Sequence, residues 1–243
     1  MTFDPFGDYD TNGYLRNYGN LKDREFVKIQ EHSAFVSNLD EALDFLSPAN
    51  SPEITYQSFL DVHRILFSDF YPWAGQDRLS LGVGRNVGKG DAVEFEQSDR
   101  SRQAVEWGLH LAAKGLRQKP GAVMGAFAWA HPFLDGNGRT MLLVHTELCG
   151  RAGFAIDWTK SGKNAYLDAL TKELWRPDKG LLDGYFVPLI YEVSPREDWR
   201  QRILHIQGID GAHSPELNIA YHSDDPNGPA RYDEIRRARG EDL

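Results

Sequence analysis

Nine consecutive residues constrain this chain more than any other feature: His131-Pro132-Phe133-Leu134-Asp135-Gly136-Asn137-Gly138-Arg139. An apolar segment, 123–130, runs into them and another, 140–148, runs out. The pattern predicts two buried helices meeting at a polar loop. Gly136 and Gly138 reach backbone angles that other residues resist, and Asn137 is the next most tolerant. Such a turn points successive N–H groups at one place, and a helix starting near Thr140 adds its positive N-terminal end. Arg139 offers a fork that fits phosphate oxygens. Asp135 is a candidate magnesium ligand, because that ion binds one or two carboxylates together with phosphates. His131 is a candidate base near neutral pH. A base, a metal ligand and a phosphate cradle in one loop point to transfer of a phosphorus-containing group. The plainer alternative is a helix–loop–helix corner with a capping histidine, and so many specified positions in so short a stretch argue against it.

The rest of the chain sets limits. Its 243 residues allow one large domain, or one domain with an appendage. A net charge of −9 gives no footprint for nucleic acid. The single cysteine, Cys149, lies in an apolar segment and is expected in the core. No apolar run follows a basic start, and none approaches the roughly 20 residues of a membrane span. The expectation is a cytoplasmic bacterial protein without membrane segments.

Residues 1–20 are rich in Gly, Asn, Asp and Tyr and read as an irregular arm. Helices are predicted from Asp23 to His32, with Phe26 and Ile29 on one side, and from Ser33 to Leu46. Phe59, Val62, His63 and Leu66 make the next stripe, with His63 read as a packed core histidine. From Gln76 to Glu96 the character changes. Gly82, Gly84, Gly88 and Gly90 break any helix, while Leu79, Leu81 and Val83 alternate as in a short strand. Val93 and Phe95 suit the return strand. The spacing fits neither a Walker motif nor a dinucleotide fingerprint. Helices follow over 98–116, from Pro120, over 140–148 with His145 hydrogen-bonded in the core, over 161–175, and over 182–191. Trp199, Ile203 and Ile206 suggest a short amphipathic helix. Residues 224–229 are a cluster of breakers, and 231–240 read as a solvated helix or a tail that docks elsewhere.

The nine residues resemble the signature of the Fic family, His-Pro-Phe-x-(Asp/Glu)-Gly-Asn-Gly-Arg, with Leu134 in the free position. The resemblance extends over about residues 10–192. Tyr71-Pro72-Trp73-Ala74-Gly75-Gln76-x-Arg78 resembles the segment before the family's flap, and Asn164-x-Tyr166-Leu167-x-Ala169-Leu170 resembles the helix bordering the nucleotide base. It implies a mainly α fold, a Fic-type helical bundle with a small β-hairpin flap over the active site. The arm would be 1–20, the catalytic domain 21–192 with its flap at about 76–96, and a charged C-terminal extension 193–243. The implied activity moves AMP from ATP, with Mg2+, onto a Ser, Thr or Tyr hydroxyl of a target protein. Carried over residue by residue, His131 is the base and Asp135 the metal ligand. Gly136, Asn137, Gly138 and Arg139 hold phosphates, and Asn164 and Tyr166 border the base. Arg78, Leu81, Gly82, Val83 and Lys89 belong to the flap that aligns a target by strand pairing. Many relatives are bacterial toxins, so a small antitoxin protein is a further implied partner; nucleic acid and membrane are not.

Two positions depart from the family pattern. Leu142 stands where many members carry a second arginine that grips terminal phosphates. Ser37-Asn38-Leu39-Asp40-Glu41-Ala42 approaches the inhibitory pattern Ser/Thr-x-x-x-Glu-Gly/Asn, and Ala42 breaks it. Glu41 is thus the candidate inhibitory residue, with a solvated charge on an amphipathic helix as the favoured alternative. Three readings of function remain open at this point. They are AMP transfer, another nucleotide reaction or AMP removal on the same fold, and a binding module without catalysis. A lysine in place of the second glycine would mark phosphate transfer, and Gly138 argues against it.

Overall fold

The structure is a computed structural model that describes residues 16–83, 87–89, 93–211, 219–220 and 228–240. Helix α1 (Arg24–Phe45) is one continuous element, not two. Asp23 caps it by accepting the Phe26 N–H at 2.8 Å, and no Gly or Pro interrupts it afterwards. Its buried stripe is Val27, Glu31, Phe35, Leu39 and Ala42. Phe26 and Ile29, expected on the apolar side, are exposed. Helix α2 (Tyr56–Phe67) starts at a capping box between Thr55 and Ser58 and packs on α1.

No strand forms over 79–83. Asp77 accepts the Ser80 N–H on its carboxylate and the Leu81 N–H on its carbonyl, and Gly82 has a φ of +69°. A side-chain-stabilised turn therefore wins over the alternating pattern. The hairpin comes later, as β1 (Gly88–Lys89) and β2 (Val93–Glu94). The expectations on Gly84 and Gly90 lie outside the described residues.

Helices α3 (Ser101–Gly115) and α4 (Pro120–Ala130) then pack closely, because Gly108 lets the Phe127 ring approach to where a Cβ would be 2.6 Å away. Pro120 opens α4, where a missing N–H costs nothing. Every residue of α4 from Val123 to Ala130 is buried. Helix α5 (Asn137–Arg151) follows the polar loop. Its His145 is buried and bonded to the Pro120 carbonyl at 2.9 Å, and Cys149 is buried beside it.

Beyond α5 come β3 (Ala155–Ile156), α6 (Lys163–Trp175) and α7 (Leu181–Phe186). The helix expected over 182–191 ends early at a 3-10 turn containing Pro188. Proline disfavours continued helix, and the chain leaves as β4 (Ile190–Tyr191), antiparallel to β3. Helix α8 (Trp199–Leu204) seats Trp199 against Gly150, and Arg200 donates to the Val36 carbonyl of α1. Strand β5 (Ile219–Ala220) lies antiparallel to β1 on the side away from β2. Helix α9 (Gly228–Arg239) docks on the end of α4: Tyr232 stacks on Trp129 and donates its hydroxyl to the buried Glu96 carboxylate. Among the described residues no helix is long and apolar enough to cross a membrane.

Candidate active site

His131 ends α4 in the left-handed region, at φ +40° and ψ +56°. Pro132 disfavours the right-handed helical conformation for the residue before it, which stops α4 there. Left-handed backbone costs a non-glycine residue roughly 1–2 kcal/mol, so other groups must hold it. Arg78 does: its Nε donates to the His131 carbonyl at 2.6 Å, and Nη2 donates to the carbonyls of Glu96 and Ala130. The imidazole lies flat on Phe95, 3.8 Å between centroids and 9° between planes.

Asn137 fixes the imidazole's tautomer. Its Oδ1 accepts the Phe133 N–H at 2.9 Å and its Nδ2 donates to the Phe133 carbonyl at 2.7 Å, which settles the amide's orientation. Nδ2 is also 3.3 Å from His131 Nε2. The amide is a donor there, so the network assigns the lone pair to Nε2.

The loop itself is moulded from behind. Gly136 has a φ of +76°, and a Cβ on it would lie 2.6 Å from Phe67 and 3.0 Å from His63. His63 accepts the Gly75 N–H on Nδ1, and so donates from Nε2 to the Asp135 carbonyl at 3.0 Å. Its ring is stacked on Phe133. A core histidine was expected; that it also braces the motif was not. Gly138 faces open space, so the first-turn amides of α5, which lack intrahelical partners, are approachable there.

The charged groups form one buried network. Arg139 Nη2 is 2.7 Å from Glu31, and its guanidinium lies over Phe67 at 4.8 Å. Tyr71 donates to the same Glu31 oxygen at 3.0 Å. Lys28 is 2.6 Å from Asp135 Oδ2 and 3.2 Å from Glu31. Burial opposes charge on Asp135, but Lys28 and Arg139 overcome it and hold the carboxyl down to about 2. Among the described residues no cluster of three metal-binding side chains occurs. A single carboxylate held ionised at neutral pH at the phosphate cradle nevertheless fits magnesium, which draws its other ligands from phosphates and water.

Two adjoining cavities open on this loop and share Asp135, Gly138, Met141, Leu167 and Leu170. One, about 210 Å³, contains His131, Phe95 and Val93 at the base of the hairpin. The other, about 240 Å³, contains Lys28, Arg139, Leu142, Tyr166 and the segment 206–209.

Several expected site residues stand elsewhere. Asn164 is exposed on α6 and does not line the second cavity; Lys163 and Tyr166 do. Helical periodicity turns Asn164 to the outer face. Arg78 is only 1% exposed, so its side chain is a clamp beneath the loop and unavailable to a docking target. Val83 is buried, Leu81 is partly buried and Gly82 is exposed, all within the turn before the hairpin. Lys89 contributes strand backbone, paired with Val93 and Ile219. Glu41 is exposed, and the α1 carboxylate that reaches the motif arginine is Glu31. Lys28, Glu31, Tyr71 and Phe95 were not anticipated as site residues.

The buried histidines make stability acid-sensitive. Burial pushes His63 down to about 3 and His145 down to about 4, from an ordinary 6.5. Below pH 6.5 the unfolded chain binds protons that the folded chain refuses, so stability falls as pH drops toward those values. Asp135 acts in the same direction below its ordinary 3.8. Each histidine removes up to ~1.4 kcal/mol per pH unit. Urea unfolding at pH 7, 6 and 5 is expected to show a steadily falling midpoint, with a shallower slope in His145→Gln. A midpoint independent of pH across that range contradicts the assignment of both as buried and neutral.

The sequence profile of the Fic/DOC family matches residues 53–149, which span α2 to α5 and hold both the loop and its clamp. Over those residues the chain is similar to the Fic/DOC family. It is 29% identical over 192 residues to y4lH of Sinorhizobium fredii, described as a probable protein adenylyltransferase; the match covers 76% of this chain and 92% of that protein. It is 30% identical over 161 residues to the protein adenylyltransferase VbhT of Bartonella schoenbuchensis, covering 65% of this chain but only 33% of VbhT. Among solved structures, the N-terminal Fic domain of a cell filamentation protein from Bartonella quintana, with bound ADP, superposes with a TM-score of 0.60 at 19% identity. That match covers 75% of this chain and 92% of the other. BepC of Bartonella tribocorum, with bound AMPPNP, gives 0.57 at 16% identity, covering 74% and 93%. The mainly helical fold is thus shared with these proteins.

Proposed function

We propose that the chain is a protein adenylyltransferase, moving AMP from Mg-ATP to a Ser, Thr or Tyr hydroxyl of a target protein. The observation that carries this is that His131 lines one cavity and the N-terminus of α5 lines both, the two meeting at Gly138. The names of y4lH and VbhT support the same reaction.

The nucleotide's phosphates take the second cavity, where the amides of Asn137 and Gly138 at the N-terminus of α5 receive them, the Gly136 N–H being donated to Asp135 at 2.7 Å. Tyr166 lines the same cavity and borders the base in this reading. The target hydroxyl enters the first cavity beside Val93 and Phe95, and the incoming peptide aligns along β2, because β1 is already paired with β2 on one side and β5 on the other. His131 Nε2 accepts the hydroxyl proton as the oxygen attacks the α-phosphorus. The new O–P bond replaces the bond to the leaving pyrophosphate, and the amides offset charge on the α-phosphate oxygens. Magnesium held by Asp135 supplies charge neutralisation on the phosphates when bound.

Intact-mass measurement of a lysate treated with this chain and ATP, GTP, UTP or CTP tests the reading. ATP labelled on its α-phosphate is expected to mark a protein, and ATP labelled on its γ-phosphate is not. Label from the γ position only, or from another nucleotide in preference, replaces the proposal with a different transfer on the same fold. Asp135→Asn is expected to lose magnesium-dependent ATP affinity by about tenfold or more, since a charged ligand becomes neutral. Calorimetry that finds ATP binding unchanged in this variant removes Asp135 from the metal role.

A further inference from the structure

We propose that Lys28 holds the terminal phosphates of the nucleotide, taking over a place for which α5 offers only Leu142. The inference rests on the adenylyl-transfer reading and deepens it.

The second cavity is lined by three cationic side chains among the described residues: Lys28, Arg139 and Lys163. Arg139 is committed only in part, since its buried Nη1 has no hydrogen-bond partner among the described residues. Its Nη2 is spent on Glu31 at 2.7 Å, its plane lies over Phe67 and Phe35, and the residue is 8% exposed. Lys163 lies with its aliphatic stem along Gly208, where a Cβ would come within 2.4 Å of it, on the wall formed by 206–209. Leu142, one helical turn beyond Arg139, lines the cavity with hydrocarbon.

Lys28 differs from all of these. It reaches the loop from α1 and puts its ammonium 2.6 Å from Asp135, the residue that fits the metal beside the phosphates. Its second contact, Glu31, is longer at 3.2 Å. An ammonium carries three donors, and these two acceptors take two of them. The remaining N–H, on a flexible four-carbon stem, is suited to phosphate as a point charge. The ion pair with Glu31 and the aromatic rings hold the Arg139 guanidinium in place, so its Nη1 can serve only where it stands, whereas the Lys28 stem can turn its ammonium to the terminal phosphates.

The rival role is purely positional, with Lys28 only pinning Asp135. Counting phosphates with and without magnesium separates the two, because a Lys28 that acts only through Asp135 has no effect once the metal is withdrawn. In the full chain, with magnesium and with a chelator in its place, calorimetry on wild type, Lys28→Met and Lys28→Arg is compared for AMP, ADP and ATP. Lys28→Met is expected to lose about tenfold or more in ATP affinity while keeping wild-type AMP affinity, the size expected for one charge-assisted hydrogen bond. Lys28→Arg is expected to recover most of the loss. Retained AMP binding certifies a folded site within the same experiment. Equal losses for AMP and ATP, or no loss for either, overturn the proposal. Failure of the wild-type chain to bind any of the three overturns the adenylyl-transfer reading itself, a different result from a wild type that binds ATP and a Lys28→Met chain that binds it as tightly.

Discussion

His131→Ala is expected to abolish AMP transfer while sparing nucleotide affinity. A positioned base contributes typically about 10²–10⁴-fold in rate, so the loss should be at least about a hundredfold. Affinity should survive because the imidazole belongs to the cavity at the hairpin, with Phe95, whereas the second cavity is lined by Lys28, Arg139 and Tyr166. Stability should fall modestly. The ring's stacking on Phe95 is lost, and alanine takes over a backbone at φ +40°. Together these cost roughly 1–2 kcal/mol. Asn137 keeps both bonds to Phe133, so the loop retains its shape without the imidazole. Three measurements on both proteins decide it: α-phosphate labelling, ATP calorimetry and thermal melting. A variant that melts and binds like wild type and still labels its target at a similar rate excludes His131 as the base.

The parts of this site legible in sequence are those made locally. Nine contiguous residues carry the base, the carboxylate and the turn, and the apolar runs on each side already imply α4 and α5. The hairpin was legible as a glycine-rich interruption, although its first strand was misplaced. There Asp77 offered a side-chain acceptor to the following amides, and this local bond outweighed the alternation of Leu79, Leu81 and Val83.

What was not legible depends on long-range contact. Lys28 and Asp135 are 107 positions apart in the chain. One signal did exist. Glu31 occupies the stripe Val27, Phe35, Leu39 and Ala42, and a carboxylate in a buried stripe demands a cation. Dividing α1 at Ser33 hid this, because Glu31 then fell in one helix and Phe35 in another. Glu41 drew attention as the near-match to a motif, yet it points to solvent. Asn164 shows the same limit: a motif residue was carried over, and the helical phase of α6 put it outside the cavity.

Arg78 is the second large effect, and it acts on stability and on geometry together. It was read as a residue of the target-docking flap, but its guanidinium is buried and donates to the carbonyls of Glu96, Ala130 and His131 and to the Ser98 hydroxyl. Arg78→Ala leaves the Glu96 and His131 carbonyls without this donor in a closed interior. The Ala130 carbonyl keeps its bond from Ser101 at 2.6 Å. Two stranded acceptors at ~1–3 kcal/mol each, plus the emptied volume, predict a loss of roughly 3–5 kcal/mol. Arg78→Lys should restore little, since one ammonium cannot reproduce a planar fork that spans three carbonyls and a hydroxyl. The same bonds hold His131 in its left-handed backbone. Rates corrected for the folded fraction should therefore still be lower in Arg78→Lys, with ATP affinity nearly unchanged because the second cavity does not include Arg78. Denaturant unfolding beside labelling at a temperature where Arg78→Lys is folded tests both halves. Unfolding of Arg78→Ala within about 1 kcal/mol of wild type would contradict the clamp, as would an Arg78→Lys chain that transfers AMP at the wild-type rate.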